Sequence, residues 1–264
     1  MEKKMDIIRI LLKIIMWFLI AEFGCNFIMQ TISYSFYKNA KKMTDITCAP
    51  QFIRFNDTLT GYGNNLDSKN SNKVILFFGG SNYIAYNSVG KYSSKFANPF
   101  ISVDYYGTQD SGGKMNLKTM KQSAEDLYEW ARAHYSNSEI IIIGHSYGAG
   151  IATYLASAKE CHSLIIAAGY RDISDLYNKI IPLFWGPLKV FISNNIRTAE
   201  YARNVDCPVH IIGSTGDKVL SPSLQKKLSL SFKNPTVRIF NDVAHEDYFC
   251  SEDVINYINQ VIGQ

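Results

Sequence analysis

The chain has 264 residues, 47% of them hydrophobic and 19% charged, with 27 Lys+Arg against 23 Asp+Glu for a formal charge of +4. That length suits one large domain or two small ones, and the composition excludes general disorder and a polytopic membrane protein. Charge is spread thinly with no recurring basic block, so nucleic acid is not an expected partner, and five cysteines in so long a chain are no disulfide scaffold.

The start of the chain departs from this average. Ile7 to Met29 is a mostly apolar stretch with Lys3, Lys4, Arg9 and Lys13 at its leading end and Glu22 towards the other. Its length is enough to cross a bilayer as a helix, for which roughly 20 residues suffice. The expectation is a single-pass membrane anchor over residues 7–29. With Lys3 and Lys4 on the cytoplasmic side, the remaining chain lies on the non-cytoplasmic side. A cleaved signal peptide and a buried or interfacial helix stay open as alternatives, although no A-x-A-like cleavage site follows. The expected organisation is an anchor or signal-like helix over 1–30, a connector with possible first strands over 31–72, and a core over 73–264.

Within the connector, Phe52–Phe55 and Leu59–Tyr62 suggest a short hairpin, and Asp67–Asn72 reads as a polar loop. Six apolar runs follow: Val74–Phe78, Phe100–Val103, Ile140–Ile143, Leu164–Ala167, Val209–Ile212 and Thr236–Phe240. They are continuous rather than alternating, as strands covered on both faces are. Helical patterns separate them. Leu117, Met120, Ala124, Leu127, Tyr128 and Ala131 form one apolar stripe at helical spacing. Ala149–Ala158 is small and apolar, Ser221-Pro222 resembles a helix start, and Ile255–Ile262 closes the chain as a helix. Strands alternating with helices predict an α/β fold with a mostly parallel central sheet.

The chemistry concentrates in Gly144-His145-Ser146-Tyr147-Gly148, a Gly-x-Ser-x-Gly sequence directly after one apolar run and before a helix. A strand-to-helix turn this sharp strains its central residue, and glycines at its flanks let the backbones approach. The Ser146 hydroxyl then projects from the sheet edge near a helix N-terminus. A serine hydroxyl is a weak nucleophile that needs a base, and the base needs an orienting acid. Asp217 follows the run Val209–Ile212, and His245 follows Thr236–Phe240. C-terminal strand ends converge on one edge of a parallel sheet. The expected triad is therefore Ser146, Asp217 and His245. His134, His145, His162 and His210 are placed in a helix, beside the nucleophile, before a strand and inside a strand. An oxyanion hole needs two backbone N–H groups. Tyr147 is expected to supply one and Gly80 the other, with Ser81 as the rival to Gly80. No metal site or cofactor is expected: His245-Glu246 starts like a zinc-protease motif, but Phe249 stands at the second histidine position.

From about Val74 onward the chain resembles an α/β-hydrolase, close to the Bem46-like branch. The stretches that carry the resemblance are Phe77-Phe78-Gly79-Gly80-Ser81, Asp104-Tyr105-Tyr106-Gly107 with Ser111-Gly112, Gly144–Gly148, Gly216-Asp217 and Ala244-His245. The resemblance implies a serine hydrolase acting on esters or thioesters, and a membrane-anchoring N-terminal segment is common in that branch. Two positions depart from the pattern: Phe78 stands where the family usually has His, and Tyr106 where it usually has Arg. The segment Tyr170–Asp206, including Ile180–Leu188, lies where such folds insert a cap. It reads either as an apolar lid or acyl pocket, or as a short helix packing on the core. Cys161 and Cys207 precede neighbouring strands and are either a disulfide or two free thiols. The expected function is hydrolysis of a small-molecule or lipid-like acyl ester. A serine peptidase and a catalytically silent binding protein are the alternatives.

Overall fold

A strand with no polar face has to be covered on both sides, and the apolar runs are arranged accordingly. The computed structural model describes residues 2–68 and 72–264, so Lys69, Asn70 and Ser71 of the expected polar loop, and the side chains of Lys3 and Lys4, lie outside the described residues. Eight strands form one sheet: β1 Gln51–Arg54, β2 Thr60–Asn64, β3 Lys73–Phe78, β4 Phe100–Val103, β5 Glu139–His145, β6 Ser163–Ala167, β7 Val209–Ser214 and β8 Thr236–Phe240. Their order is β1-β2-β4-β3-β5-β6-β7-β8, with β1, β2 and β4 paired antiparallel and every other pair parallel. The hairpin expected at Phe52–Phe55 and Leu59–Tyr62 is thus the antiparallel edge, shifted by one or two residues. The central strands are the most apolar. Val74–Phe78 and Ile140–Ile143 are buried along their whole length, and each such side chain contributes about 1.5–3 kcal/mol.

Helices fill the connections. These are α1 Glu2–Asn39, α2 Ala85–Tyr92, α3 Leu117–His134, α4 Tyr147–Ala158, α5 Ser174–Tyr177, α6 Thr198–Tyr201, α7 Pro222–Ser229 and α8 Glu252–Ile262. Helix α3 buries Met120, Ala124, Leu127, Tyr128 and Ala131, with Leu117 half-buried. Its start is fixed by a reciprocal cap: Asn116 Oδ1 accepts from the Thr119 amide at 3.1 Å, and Thr119 Oγ1 accepts from the Asn116 amide at 2.9 Å. Helix α4 packs on α3, β3, β5 and β6. The segment 170–206 holds only α5, α6 and two short 3-10 turns, Gly186–Phe191 and Ala202–Asn204. Phe184 is buried there against Tyr177, while Ile180, Trp185 and Val190 are exposed. Cys161 and Cys207 are free thiols with their sulfurs 2.8 Å apart.

The N-terminal segment requires a correction. Helix α1 does not end near residue 30 but continues to Asn39. No helix among the described residues is long and apolar enough to cross a membrane, so the expected span over 7–29 does not stand. The reason is visible in its packing. Glu22, Asn26, Met29 and Tyr37 recur on one face of the helix and are buried against the rest of the chain. Asn26 Nδ2 donates to Ser193 Oγ at 3.0 Å, Gln30 Nε2 donates to the Ser193 carbonyl at 2.5 Å, and Phe23 meets Phe191 edge-on at 5.1 Å. The last third of the expected span is therefore docked protein. Ile7 to Ala21 alone rises only about 22 Å, against roughly 30 Å of bilayer hydrocarbon. This leading half exposes apolar side chains around its axis, with Arg9 and Lys13 among them: Ile10, Ile15 and Met16 are 57%, 53% and 48% exposed.

Tyr37 anchors the docked half, with its ring edge-on to Tyr105 and Tyr147 at 5.9 and 5.7 Å. Replacing Tyr37 by Ala is expected to cost about 3 kcal/mol in a urea melt. It is also expected to expose α1 to limited proteolysis before the rest of the chain is cut.

Candidate active site

The turn between β5 and α4 is built by exclusion. A Cβ on Gly148 would lie 2.3 Å from the Phe78 carbonyl oxygen and 2.4 Å from that of Gly79. One on Gly144 would lie 2.5 Å from the Ala152 Cβ. Only glycines let α4 approach β3 and β5 this closely. Ser146 sits between them at φ 51° and ψ −122°, a backbone conformation that L side chains rarely adopt. Its amide donates to the Ala167 carbonyl at the end of β6, at 2.9 Å. The side chain therefore stands proud of the sheet edge at the first turn of α4.

Asp217 and His245 arrive from the next two strands. The loops after β7 and β8 are tied by Ser214, whose Oγ accepts from the Gly216 amide at 3.0 Å and from the Val243 amide at 2.9 Å. Asp217 Oδ1 accepts from the amides of Val219 and Leu220, both at 2.8 Å. Asp217 Oδ2 accepts from His245 Nδ1 at 2.9 Å and from the Tyr248 hydroxyl at 3.1 Å. His245 Nε2 lies 2.8 Å from Ser146 Oγ. With Nδ1–H given to the carboxylate, Nε2 is the acceptor for the serine hydroxyl. Burial pushes the Asp217 carboxyl up, but the His245 hydrogen bond, the two amides and the adjacent imidazole outweigh it and hold the group below the usual carboxylate range. Asp217 is thus an anion at neutral pH.

His145 was placed in sequence only as a neighbour of the nucleophile. It is buried, and its Nε2–H donates to the His245 carbonyl at 2.9 Å. Burial first, and the neighbouring His245 second, lower its pKa to about 3, so this histidine is neutral. It tethers the loop that carries His245. Tyr248 is a further functional side chain here, and a tyrosine three residues after the histidine carries no sequence signal of its own. The oxyanion donors expected from sequence lie at the nucleophile. Tyr147 N–H is the first amide of α4, one of those a helix leaves without an internal acceptor. The loop after β3 passes so close that a Cβ on Gly80 would be 3.0 Å from Ser146 Cβ. Ser81 follows and lines the same cleft, a cavity of about 430 Å³ with Ser146 and His245 in its wall.

Of the two departures noted above, Phe78 is a buried core side chain whose carbonyl abuts Gly148. Tyr106 turns to α3, donating to Asp126 Oδ2 at 2.5 Å and accepting from Asn56 Nδ2 at 2.9 Å. Among the described residues no group of His, Cys, Asp and Glu is arranged to hold a metal ion.

A family sequence pattern described as the alpha/beta hydrolase fold matches residues 74–188, and the chain has that fold. Among its relatives, a lysophosphatidylserine lipase of Danio rerio is 30% identical over 145 residues, covering 48% of this chain and 38% of the relative. Human protein ABHD12B is 38% identical over 60 residues, 23% of this chain and 17% of that protein. The chain therefore spans well under half of the curated relatives it matches. Est1E of Butyrivibrio proteoclasticus with ferulic acid bound has the same fold, with a TM-score of 0.60 at 14% identity over 80% of this chain and 96% of that one. A deep-sea metagenome hydrolase, MGS-M2, aligns with a TM-score of 0.63 at 15% identity over 81% of this chain and 98% of that one.

Asp104, at the end of β4, is buried and accepts the Ala85 amide at 2.7 Å, which fixes the start of α2 behind the Gly79–Ile84 loop. Desolvation raises its pKa from 3.8 to about 7, with the Ala85 hydrogen bond opposing. Because the folded value is the higher one, ionising Asp104 costs folding stability, and that cost grows as pH rises from about 4 to about 7. Asp104→Asn keeps the acceptor and removes the charge. It is expected to raise Tm by roughly 3 °C or more at pH 8 and to give no gain at pH 4, read by thermal melts across that range.

Proposed function

We propose that the protein is a serine hydrolase of carboxylic esters, thioesters included, that works through an acyl-enzyme. The single observation behind this reading is the hydrogen-bonded relay from Ser146 through His245 to Asp217, at 2.8 and 2.9 Å, with the serine held in a strained turn. Ser146 Oγ attacks the acyl carbonyl as His245 Nε2 takes its proton. The carbonyl oxygen, now an anion, is met by the Tyr147 and Gly80 amides. His245 gives the proton to the departing alcohol or thiol, then takes one from the water that attacks the acyl-serine and returns it to Ser146 Oγ as the acid leaves. Asp217 stays ionised throughout, orients the imidazole and stabilises its charged form. The relatives named as lysophosphatidylserine lipases support an ester rather than an amide substrate, and a lipid-like one.

The exposed apolar half of α1 supports a membrane-surface partner. We infer that the apolar side chains of Ile7–Ile20 sink into a lipid surface, with Arg9 and Lys13 reaching the headgroups, since exposed apolar surface in water is unfavourable by about 25 cal/mol per Å². On this reading the full chain co-sediments with phospholipid vesicles, and Ile10→Asp with Ile15→Asp abolishes it.

Labelling with a fluorophosphonate probe tests the hydrolase reading. Wild-type protein should label at one serine, and Ser146→Ala should not label and should lose about 10⁴-fold or more in kcat. Asp217→Asn should lose a comparable factor with the fold intact by circular dichroism. A wild-type chain that takes no label, or a Ser146→Ala chain that labels equally, would sink the proposal.

A further inference from the structure

Beside the catalytic cleft lies a second cavity of about 170 Å³, and its walls are of a different kind. The cleft itself mixes polar side chains, Asn82, Asn87, Lys91 and Glu246, with apolar ones such as Met43 and Ile84. The second cavity is walled by Met29, Ile32 and Phe36 of α1 and, opposite them, by Ile173, Tyr177 and Leu220. The two meet at Ser81, Leu176 and Val219, which line both, and the smaller one is also lined by Tyr147, the residue after the nucleophile. Its rim leaves Ile32, Phe36, Ile180 and Val219 exposed to between 37% and 65%. Four large apolar side chains exposed around one opening are an unusual surface for a protein to leave uncovered.

We infer that this cavity is the acyl arm of the substrate site and that the second half of α1 is its wall, so that Met29, Ile32 and Phe36 set the acyl chain length the enzyme accepts. The inference rests on the ester-hydrolase reading for the chemistry at Ser146. An ester has two limbs, and the site has two arms, one mostly apolar and one that carries polar side chains beside apolar ones. The alkyl chain leaves the carbonyl between Ser81 and Leu176 and runs along α1. The alcohol limb lies in the mixed cleft, on the side of Asn87 and Lys91. Each methylene moved from water into the arm improves transition-state binding by about fourfold until the arm is full.

The test uses the full chain with p-nitrophenyl butanoate and decanoate. Ile32→Trp fills the arm and Ile32→Glu puts a charge in it; Ile32 is 37% exposed, so neither change buries a misfit in the core. Both are expected to lower the decanoate-to-butanoate ratio of kcat/KM at least tenfold, while Leu230→Ser, far from the site and 85% exposed, leaves the ratio as it was. An unchanged ratio in both Ile32 variants overturns the inference. Binding of the fluorescent fatty acid parinaric acid separates the arm from the chemistry. The Ser146→Ala chain should bind it, and adding Ile32→Glu should weaken binding at least tenfold. If wild type hydrolyses neither ester but this loss is seen, the arm stands and the hydrolase reading falls. Equal parinaric acid binding with and without Ile32→Glu overturns the arm.

Discussion

The site depends on one constraint: α4 lies against β3 and β5 with no room for a side chain at Gly144 or Gly148. That closeness turns the chain so abruptly that Ser146 takes a left-handed backbone conformation. The strain costs on the order of 1–3 kcal/mol and persists because the surrounding sheet over-determines it. Isoleucines on β5 and β6 and the amide bond to Ala167 hold both ends of the turn. The same approach carries the loop after β3 to Ser146, so the nucleophile and the facing backbone are positioned by a single packing event.

A second layer of control lies in how Asp217 is satisfied. A buried carboxylate is expensive unless each oxygen finds donors. Here both oxygens accept two hydrogen bonds, from Val219, Leu220, His245 and Tyr248. Asp104 shows the contrast. It is as deeply buried, but among the described residues a single amide is its hydrogen-bond donor, and desolvation raises its pKa to about 7. Two aspartates at the same sheet edge thus carry different charge because of the donors around them.

Much of this was legible in the residues. Continuous apolar runs marked the central strands because both faces are covered, and Gly-x-Ser-x-Gly after such a run marked the turn. Strand ends bring distant segments together, so Asp217 and His245 could be paired with Ser146 without knowing any distance. What could not be read was contact. Tyr248 reaches Asp217 only because the loop after β8 curls back over the loop after β7. His145 faces a carbonyl, not the substrate. The end of α1 was misplaced because hydropathy fades after Met29, while the helix continues on tertiary contacts made by Tyr37.

Helix α1 faces two environments. Its second half closes the apolar cavity, and its first half exposes apolar side chains with Arg9 and Lys13 among them. Any ligand that touches both the helix and the body must, by thermodynamic reciprocity, hold the two together more tightly than they hold alone. Any surface that draws the helix outward must loosen the ligand by the same factor. A long acyl chain and a lipid surface would then compete for, or share, a single helix. The seating of α1 would be a variable set by its surroundings, not a fixed property of the fold.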